Sequence, residues 1–232
     1  MSGGDGPGRF RAPSPVFLFD LDGTLVDSVY QHVAAWNEAL TQCGISLSVW
    51  RIHRRIGMSG GLFLNALQRE TGLTFDPPML AKLSSLHEES YLERAKSVVP
   101  LPGARELLDV LTANSIPFAI ATSGAHSVAD VALGLLDLPA NVPVVTRDLV
   151  ARAKPDPDLF LAAAQRLGAD PSNCFVVGDS VWDLLAAQRA RALGVGVLSG
   201  GYGAEELQAA GAYRVYQDPA NLLEHLEEVG VR

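Results

Sequence analysis

Residues 16–28 read "VFLFDLDGTLVDS", an apolar strand that runs directly into Asp20, Asp22 and Asp27. A run of Val, Phe, Leu and Phe that ends in carboxylates delivers negative charge to the rim of a hydrophobic sheet, where a positive group has to meet it. Asp20 and Asp22 stand two residues apart, so strand geometry carried on to Asp22 predicts that they share a face, roughly 6–7 Å apart at the backbone. Two close carboxylates can divide labour, one ionised as nucleophile or metal ligand and the other serving as an acid.

Outward from this strand the pattern changes twice. From Ser28 to about Ala95 it is helical: "VYQHVAAWNEALTQCG" sets Val29, Val33, Trp36 and Leu40 at helical intervals, with Gly44 as a stop, and 60–72 and 77–95 read as further helices. From Val98 short apolar strands alternate with helices. The strands are "PFAIATS" at 117–123, "VPVVT" at 142–146, "CFVVGDS" at 174–180 and "GVGVLSG" at 194–200, with helical stretches near 103–114, 125–136, 157–167 and 181–192. This alternation predicts an α/β fold, a doubly wound and mostly parallel sheet, with the helical block inserted after its first strand. The expected division is a flexible, Gly/Pro/Ser-rich leader over 1–15, an α/β core over 16–28 and 97–232, and a helical cap over 29–96.

In open parallel sheets ligands bind beyond the carboxyl ends of the strands. The polar residues at those ends are Asp20 and Asp22, Thr122 and Ser123, and Asp179 and Ser180, with Lys154 before the helix at 157–167. Asp179 and Asp183 form a second acidic pair, which suits a hard cation such as Mg²⁺ bound through oxygen. Lys154 and the Thr122 hydroxyl offer positive charge and a hydrogen bond to an anion. A metal, a lysine, a hydroxyl and a nucleophilic carboxylate together describe phosphoryl transfer. Taken singly each has a plainer reading, since "GDS" before a helix is also N-cap chemistry and Lys154 before "PDPD" also reads as a solvated loop lysine. The combination and its order carry the case.

Composition narrows the field. With 48% hydrophobic and 19% charged residues in 232, the chain has ordinary globular usage. No apolar run approaches the ~20 residues that span a bilayer, and the N-terminus "MSGGDGPGRFRAPSP" lacks the apolar middle of a signal peptide, so no membrane partner and a cytoplasmic address are expected. Cys43 and Cys174 make neither a disulfide framework nor a CxxC metal pattern. A net charge of −8, with no basic cluster beyond "RIHRR" at 51–55, argues against nucleic acid. A monomer is the expectation for a capped enzyme of this size.

"DLDGTLVDS", "ATSG", "KPDPDLF" and "GDSVWD", in this order, resemble the four signature motifs of the haloacid dehalogenase superfamily, and the helical insert resembles the cap of its phosphoglycolate phosphatase and β-phosphoglucomutase branch. The resemblance covers about residues 14–225 and implies a Rossmann-like core. It further implies that Asp20 attacks the substrate phosphorus to form an aspartyl-phosphate, while Asp22 protonates the leaving oxygen and then activates water. Thr122 and Lys154 would hold the phosphoryl oxygens, Lys154 also steadying Asp20. Mg²⁺ would be bound by Asp20, Asp179 and the backbone carbonyl of Asp22, with Asp183 supporting from behind.

Ser123 and Gly124 of the second motif are counted with the substrate-binding residues, as are four positions of the insert. His32 stands at the cap-entry position where the mutases and some sugar phosphatases keep a histidine; it also reads as a polar residue on the cap helix. In "IGMSGG" at 56–61, Gly57 and Ser59 sit in a glycine-flanked loop that allows close backbone approach to a substrate. Arg55, with Arg54 beside it, precedes that loop and could reach a substrate anion. Trp36 and Trp182 read as packing.

The expected function is a Mg²⁺-dependent phosphatase of a small phosphorylated metabolite, of the phosphoglycolate or sugar phosphate class, whose cap closes to exclude water. A β-phosphoglucomutase-type transfer is the alternative. Against it, the fourth motif has Gly178–Asp179 where the mutases have "ED", and His87 stands where they use a cap lysine. A non-catalytic phospholigand-binding module would be expected to lack one of the catalytic groups, and none is missing.

Overall fold

The computed structural model describes residues 15–231, so the expected leader lies, Pro15 apart, outside the described residues. Strand β1 (Val16–Phe19) is buried along its whole length, and its side chains alternate between two separate cores. Phe17 and Phe19 enter one, Val16 and Leu18 the other. A strand covered on both faces needs apolar residues at every position, which is why "VFLF" is an unbroken run and not an alternation.

Five more strands complete a parallel sheet: β2 (Phe118–Ala121), β3 (Val144–Val145), β4 (Cys174–Gly178), β5 (Leu193–Val197) and β6 (Ala212–Tyr216), in the order β3-β2-β1-β4-β5-β6. Four helices fill the insert: α1 (Val29–Gln42), α2 (Val49–His53), α3 (Gly60–Thr71) and α4 (Pro77–Arg94). Six follow it: α5 (Ala104–Ala113), α6 (His126–Leu133), α7 (Asp158–Arg166), α8 (Val181–Ala190), α9 (Ala204–Ala209) and α10 (Pro219–Glu224). Helices α5, α6 and α10 cover the Phe17/Phe19 face, and α7 and α8 the Val16/Leu18 face. This is the doubly wound, Rossmann-like α/β fold expected from the alternation of strands and helices. Strand β6 and helices α9 and α10 extend it beyond the expected elements; β6 is an edge strand with Tyr213 and Arg214 exposed, so it lacks the apolar run that marks the inner strands.

The insert has a core of its own, with Val33, Trp36, Leu40, Ile52, Phe63, Leu67 and Leu83 packed together. Trp36 belongs to that cluster, in keeping with its reading as a packing residue. The outgoing and returning chains are pinned side by side: Val26 bridges Pro100, the Asp27 N–H donates to the Val99 carbonyl at 2.9 Å, and the Leu101 N–H donates to the Leu25 carbonyl at 2.9 Å. Asp27 is thus an exposed backbone partner at the crossing point and takes no part in the buried acidic cluster. Among the described residues no helix is long and apolar enough to cross a membrane.

Because β1 pairs with β2 on one side and β4 on the other, the sheet order reverses at β1/β4, and the ends of these two strands form the crevice where ligands collect. Truncating the centre of this strand should therefore be costly. Leu18→Ala, at a fully buried position, is expected to lower unfolding stability by about 2–5 kcal/mol in urea titration; a loss under about 1 kcal/mol would contradict this packing.

Candidate active site

Asp20 follows β1, Asp179 follows β4, and Asp183 lies in the first turn of α8. One carboxylate oxygen from each lies within 4.8 Å of the others, and all three residues are buried. Glycines make the room. A Cβ on Gly200 would stand 1.6 Å from Asp179 Oδ2, and one on Gly178 would stand 2.3 Å from Asp183 Cβ. Gly23, at φ +79°, lets the chain turn past Asp179 in a conformation other residues rarely adopt.

Lys154 supplies the one ammonium in this cluster. Fully buried, it pairs through Nζ with Asp20 and, at 2.8 Å, with Asp183 Oδ1. Burial works against its charge, yet Asp183 and Asp20 outweigh that and hold its pKa above the ordinary lysine value. Burial pushes Asp20 up to about 7, with Asp183 and Asp22 adding like charge and Lys154 opposing. Asp179 is raised well above the usual carboxylate range by burial and then by Asp183 and Asp20. Three carboxyl groups crowd against one ammonium, which drives Asp20 and Asp179 toward their neutral forms, and since the donors are all hard oxygens the set fits a cation such as Mg²⁺ in place of those protons. Asp183, expected as a support from behind, stands within the cluster itself; its Oδ2 also accepts from the Ser180 N–H at 3.2 Å and hydroxyl at 2.5 Å, as the capping partner of α8.

Asp22 is placed differently from the expected continuation of the strand. Regular pairing ends at Phe19, and a turn follows in which the Gly23 N–H donates to the Val26 carbonyl at 2.8 Å. Its carboxylate accepts from the Ser28 hydroxyl at 2.5 Å and the Thr122 hydroxyl at 3.4 Å, and faces His32 Nε2 at 3.2 Å. Burial raises this carboxyl, but His32, Ser28 and Lys154 together outweigh burial and hold it below its ordinary value, so it is ionised at neutral pH. His32 stacks on Tyr91 with centroids 3.8 Å apart and meets His87 Nε2 at 3.2 Å, and His87 stacks on Trp36 at 4.1 Å. Burial, then the neighbouring His32, hold His87 well below the usual histidine value, so it is neutral.

A cavity of about 250 Å³ lies between the insert and the sheet edge. It brings together most of the residues singled out in the sequence: Asp20, Asp22, Thr122, Ser123 and Gly124 from the core, and His32, Arg55 and Gly57 from the insert. Lys154, expected to hold the phosphoryl oxygens, does not line it and, like Asp179, lies behind Asp20, because its ammonium is taken up by Asp20 and Asp183. The Thr122 hydroxyl also accepts from the Gly124 N–H at 3.0 Å, and the Ser123 hydroxyl donates to the Gly57 carbonyl at 3.0 Å, joining core to insert.

Two expectations for the insert need correction. Ser59 does not line the cavity; it is buried as the N-cap of α3, its hydroxyl accepting from the Leu62 N–H at 3.5 Å. Arg55 lines the cavity but is not a free cation, since it pairs with Glu70 and donates from Nη1 to the Arg51 carbonyl at 2.6 Å. Arg54 turns away altogether, to Glu206 and the face of Tyr202. Sequence reasoning missed Glu88 and Arg147, which also line the cavity. Neither sits in a motif: Glu88 reaches the cavity through the seating of the insert, and Arg147 through the pairing of β3 with β2.

With this geometry in view, the relationships of the chain are consistent. Residues 15–191 match the haloacid dehalogenase-like hydrolase family. Hexitol phosphatase A of Escherichia coli strain K12 is 35% identical over 166 residues, 71% of this chain and 74% of that protein. A phosphoglycolate phosphatase of Rhodospirillum rubrum is 31% identical over 212 residues, covering 88% of each. A solved structure of a hydrolase from Pseudomonas syringae superposes with a TM-score of 0.91 at 52% identity, over 94% of this chain and 100% of that one. The chain belongs to the haloacid dehalogenase-like hydrolases. It is an enzyme of the hydrolase class, and the two curated relatives just described are named as phosphatases.

The buried lysine gives a direct test of the cluster. Lys154→Met leaves three buried carboxylates without a counter-charge and is expected to cost about 3–5 kcal/mol of unfolding stability at neutral pH without divalent metal; a change under about 1 kcal/mol would contradict the pairing.

Proposed function

We propose that the chain is a Mg²⁺-dependent phosphatase that hydrolyses a small phosphorylated metabolite, of the sugar phosphate or phosphoglycolate class, through an aspartyl-phosphate on Asp20. The observation that carries this reading is the pairing of two unlike carboxylates in one cavity. Asp20 is backed by a buried lysine, and Asp22 is held by a serine, a threonine and a histidine. The names of the relatives support the substrate class, and the cavity of about 250 Å³ suits a small ester.

In the first half-reaction an Asp20 oxygen attacks phosphorus, the ester P–O bond breaks, and Asp22 gives its proton to the leaving alkoxide oxygen. In the second, Asp22 takes a proton from water as that water attacks the acyl phosphate, which releases inorganic phosphate and regenerates Asp20. The ionised state of Asp22 suits the second half. For the first, a phosphoryl group placed against Asp20 adds like charge beside Asp22 and raises its affinity for a proton, the direction an acid requires. The Thr122 hydroxyl binds a phosphoryl oxygen, while Lys154, behind Asp20, orients the nucleophile and offsets its charge.

Asp20, Asp179 and the backbone carbonyl of Asp22 would hold Mg²⁺, with Asp183 in support, and the ion would supply the positive charge that the carboxylates and an incoming phosphoryl group demand. The insert over 29–96 serves as the cap and excludes bulk water from the acyl phosphate.

Incubation with Mg²⁺ and a panel of phosphorylated metabolites, scored by released phosphate, tests the reading. Release is expected without added sugar bisphosphate, which separates hydrolysis from transfer to a second sugar. It should stop with a chelator, fall by at least about a thousandfold in Asp20→Asn, and fall by about 10²–10⁴ in Asp22→Ala. No release from any ester would overturn it.

A further inference from the structure

We infer that Glu88 makes the cavity select phosphate esters with an uncharged, hydroxylated leaving group, a sugar or polyol, over esters whose leaving group carries a second anion. This rests on the phosphatase reading above and names the feature that divides its two substrate classes. The leaving group has to lie on the insert side, because Asp22, the group next to the leaving oxygen, is tied to His32 and through it to His87.

A leaving group with its own carboxylate needs a counter-charge there, and the insert's basic groups along the wall are already engaged: His32 Nε2 faces the Asp22 carboxylate at 3.2 Å. Arg55 is paired with Glu70 and further held by the Arg51 carbonyl. His87 is neutral and stacked on Trp36. Next to His87 stands Glu88, half-buried in the wall, whose Oε1 accepts from the Ser127 hydroxyl at 2.6 Å. Among the described residues no lysine, arginine or histidine is salt-bridged to Glu88, whereas Arg54 and Arg94 of the insert pair with Glu206 and Glu38, and Arg51 and Arg55 share Glu70.

Arg147 lines the wall from the core side, with its side chain engaged by the backbone. It follows β3, its backbone N–H donates to the Gly124 carbonyl at 3.0 Å, and its Nη1 donates to the Val150 carbonyl at 2.9 Å. A second anion would therefore be taken out of water beside an unneutralised carboxylate, a repulsive selection against that class. Hydroxyl groups meet the opposite situation: Glu88 accepts from them, Ser84 can do either, and the Trp36 ring forms a flat apolar wall.

The test compares kcat/KM for a hexitol phosphate, fructose 1-phosphate and phosphoglycolate, with Mg²⁺, in the wild type, Glu88→Gln and Glu88→Asp. The wild type is expected to prefer the two neutral leaving groups by at least roughly tenfold. Glu88→Gln should narrow that preference by roughly tenfold, chiefly through a lower KM for phosphoglycolate, and Glu88→Asp, which keeps the charge, should retain it. Wild-type preference for phosphoglycolate, or an equal loss of preference in both variants, would overturn the assignment of Glu88 while leaving the phosphatase reading intact. Absence of phosphate release from all three, and from a wider ester panel, would overturn both.

Discussion

The arrangement depends on a buried ammonium beneath three buried carboxylates. Lys154 has no exposed surface, and Asp20, Asp179 and Asp183 crowd within 4.8 Å of one another at the end of an apolar sheet. Taking such charges out of water is unfavourable unless they are paired, and one lysine cannot pair all three. Much of the local sequence answers that constraint. Gly23, Gly178 and Gly200 give the carboxylates room that any Cβ would remove, the Ser180 capping box orients Asp183, and β1 and β4 lie side by side so that their ends converge. That crowding, which raises Asp20 and Asp179, is the physical reason that a divalent cation belongs in the proposed chemistry.

The insert completes the site by contact from above. Its seam with the core includes these hydrogen bonds: Ser123 to the Gly57 carbonyl, Ser127 to Glu88, and the Arg54 carbonyl accepting from Trp182 Nε1 at 3.2 Å and the Tyr202 hydroxyl at 2.9 Å. His53 Nε2 meets the Gly200 carbonyl at 2.8 Å, so an insert residue touches the loop that packs on the Asp179 carboxylate. Ala35, Tyr91 and Ala95 of the insert also enter the apolar cluster around Phe17 and Phe19, and the chain crosses between insert and core at the paired segments of Asp27 and Val99.

The core was legible in the sequence because its signals are local. A double-faced apolar run reads as a buried strand wherever it occurs, and the acidic residues of "DLDGT" and "GDSVWD" sit at fixed distances from such runs. Edge strand β6 carried no such run and escaped. Asp22 was expected on the face of a continuing strand, whereas a turn delivers it to Ser28 and His32. The insert was less legible than its helices. Helical periodicity gives α1, α3 and α4 and Trp36 as packing, while the short α2 goes unread, and whether Arg54, Arg55 and Ser59 face the cavity depends on which partners take them. Glu206 takes Arg54, Glu70 takes Arg55, and the start of α3 takes Ser59. Glu88 became visible only once the insert was seated, and Arg147 only once β3 was paired with β2.

The central claim is that Asp20 carries the phosphoryl group between ester and water. A single turnover with enzyme in excess over substrate and Mg²⁺ present, quenched in acid and analysed by peptide mass spectrometry, tests it most directly. The account predicts a transient phosphoryl adduct on the peptide holding Asp20, located at Asp20 and decaying as inorganic phosphate appears. An adduct on Asp22 or on any other residue, or phosphate release with no adduct at any time, would contradict it.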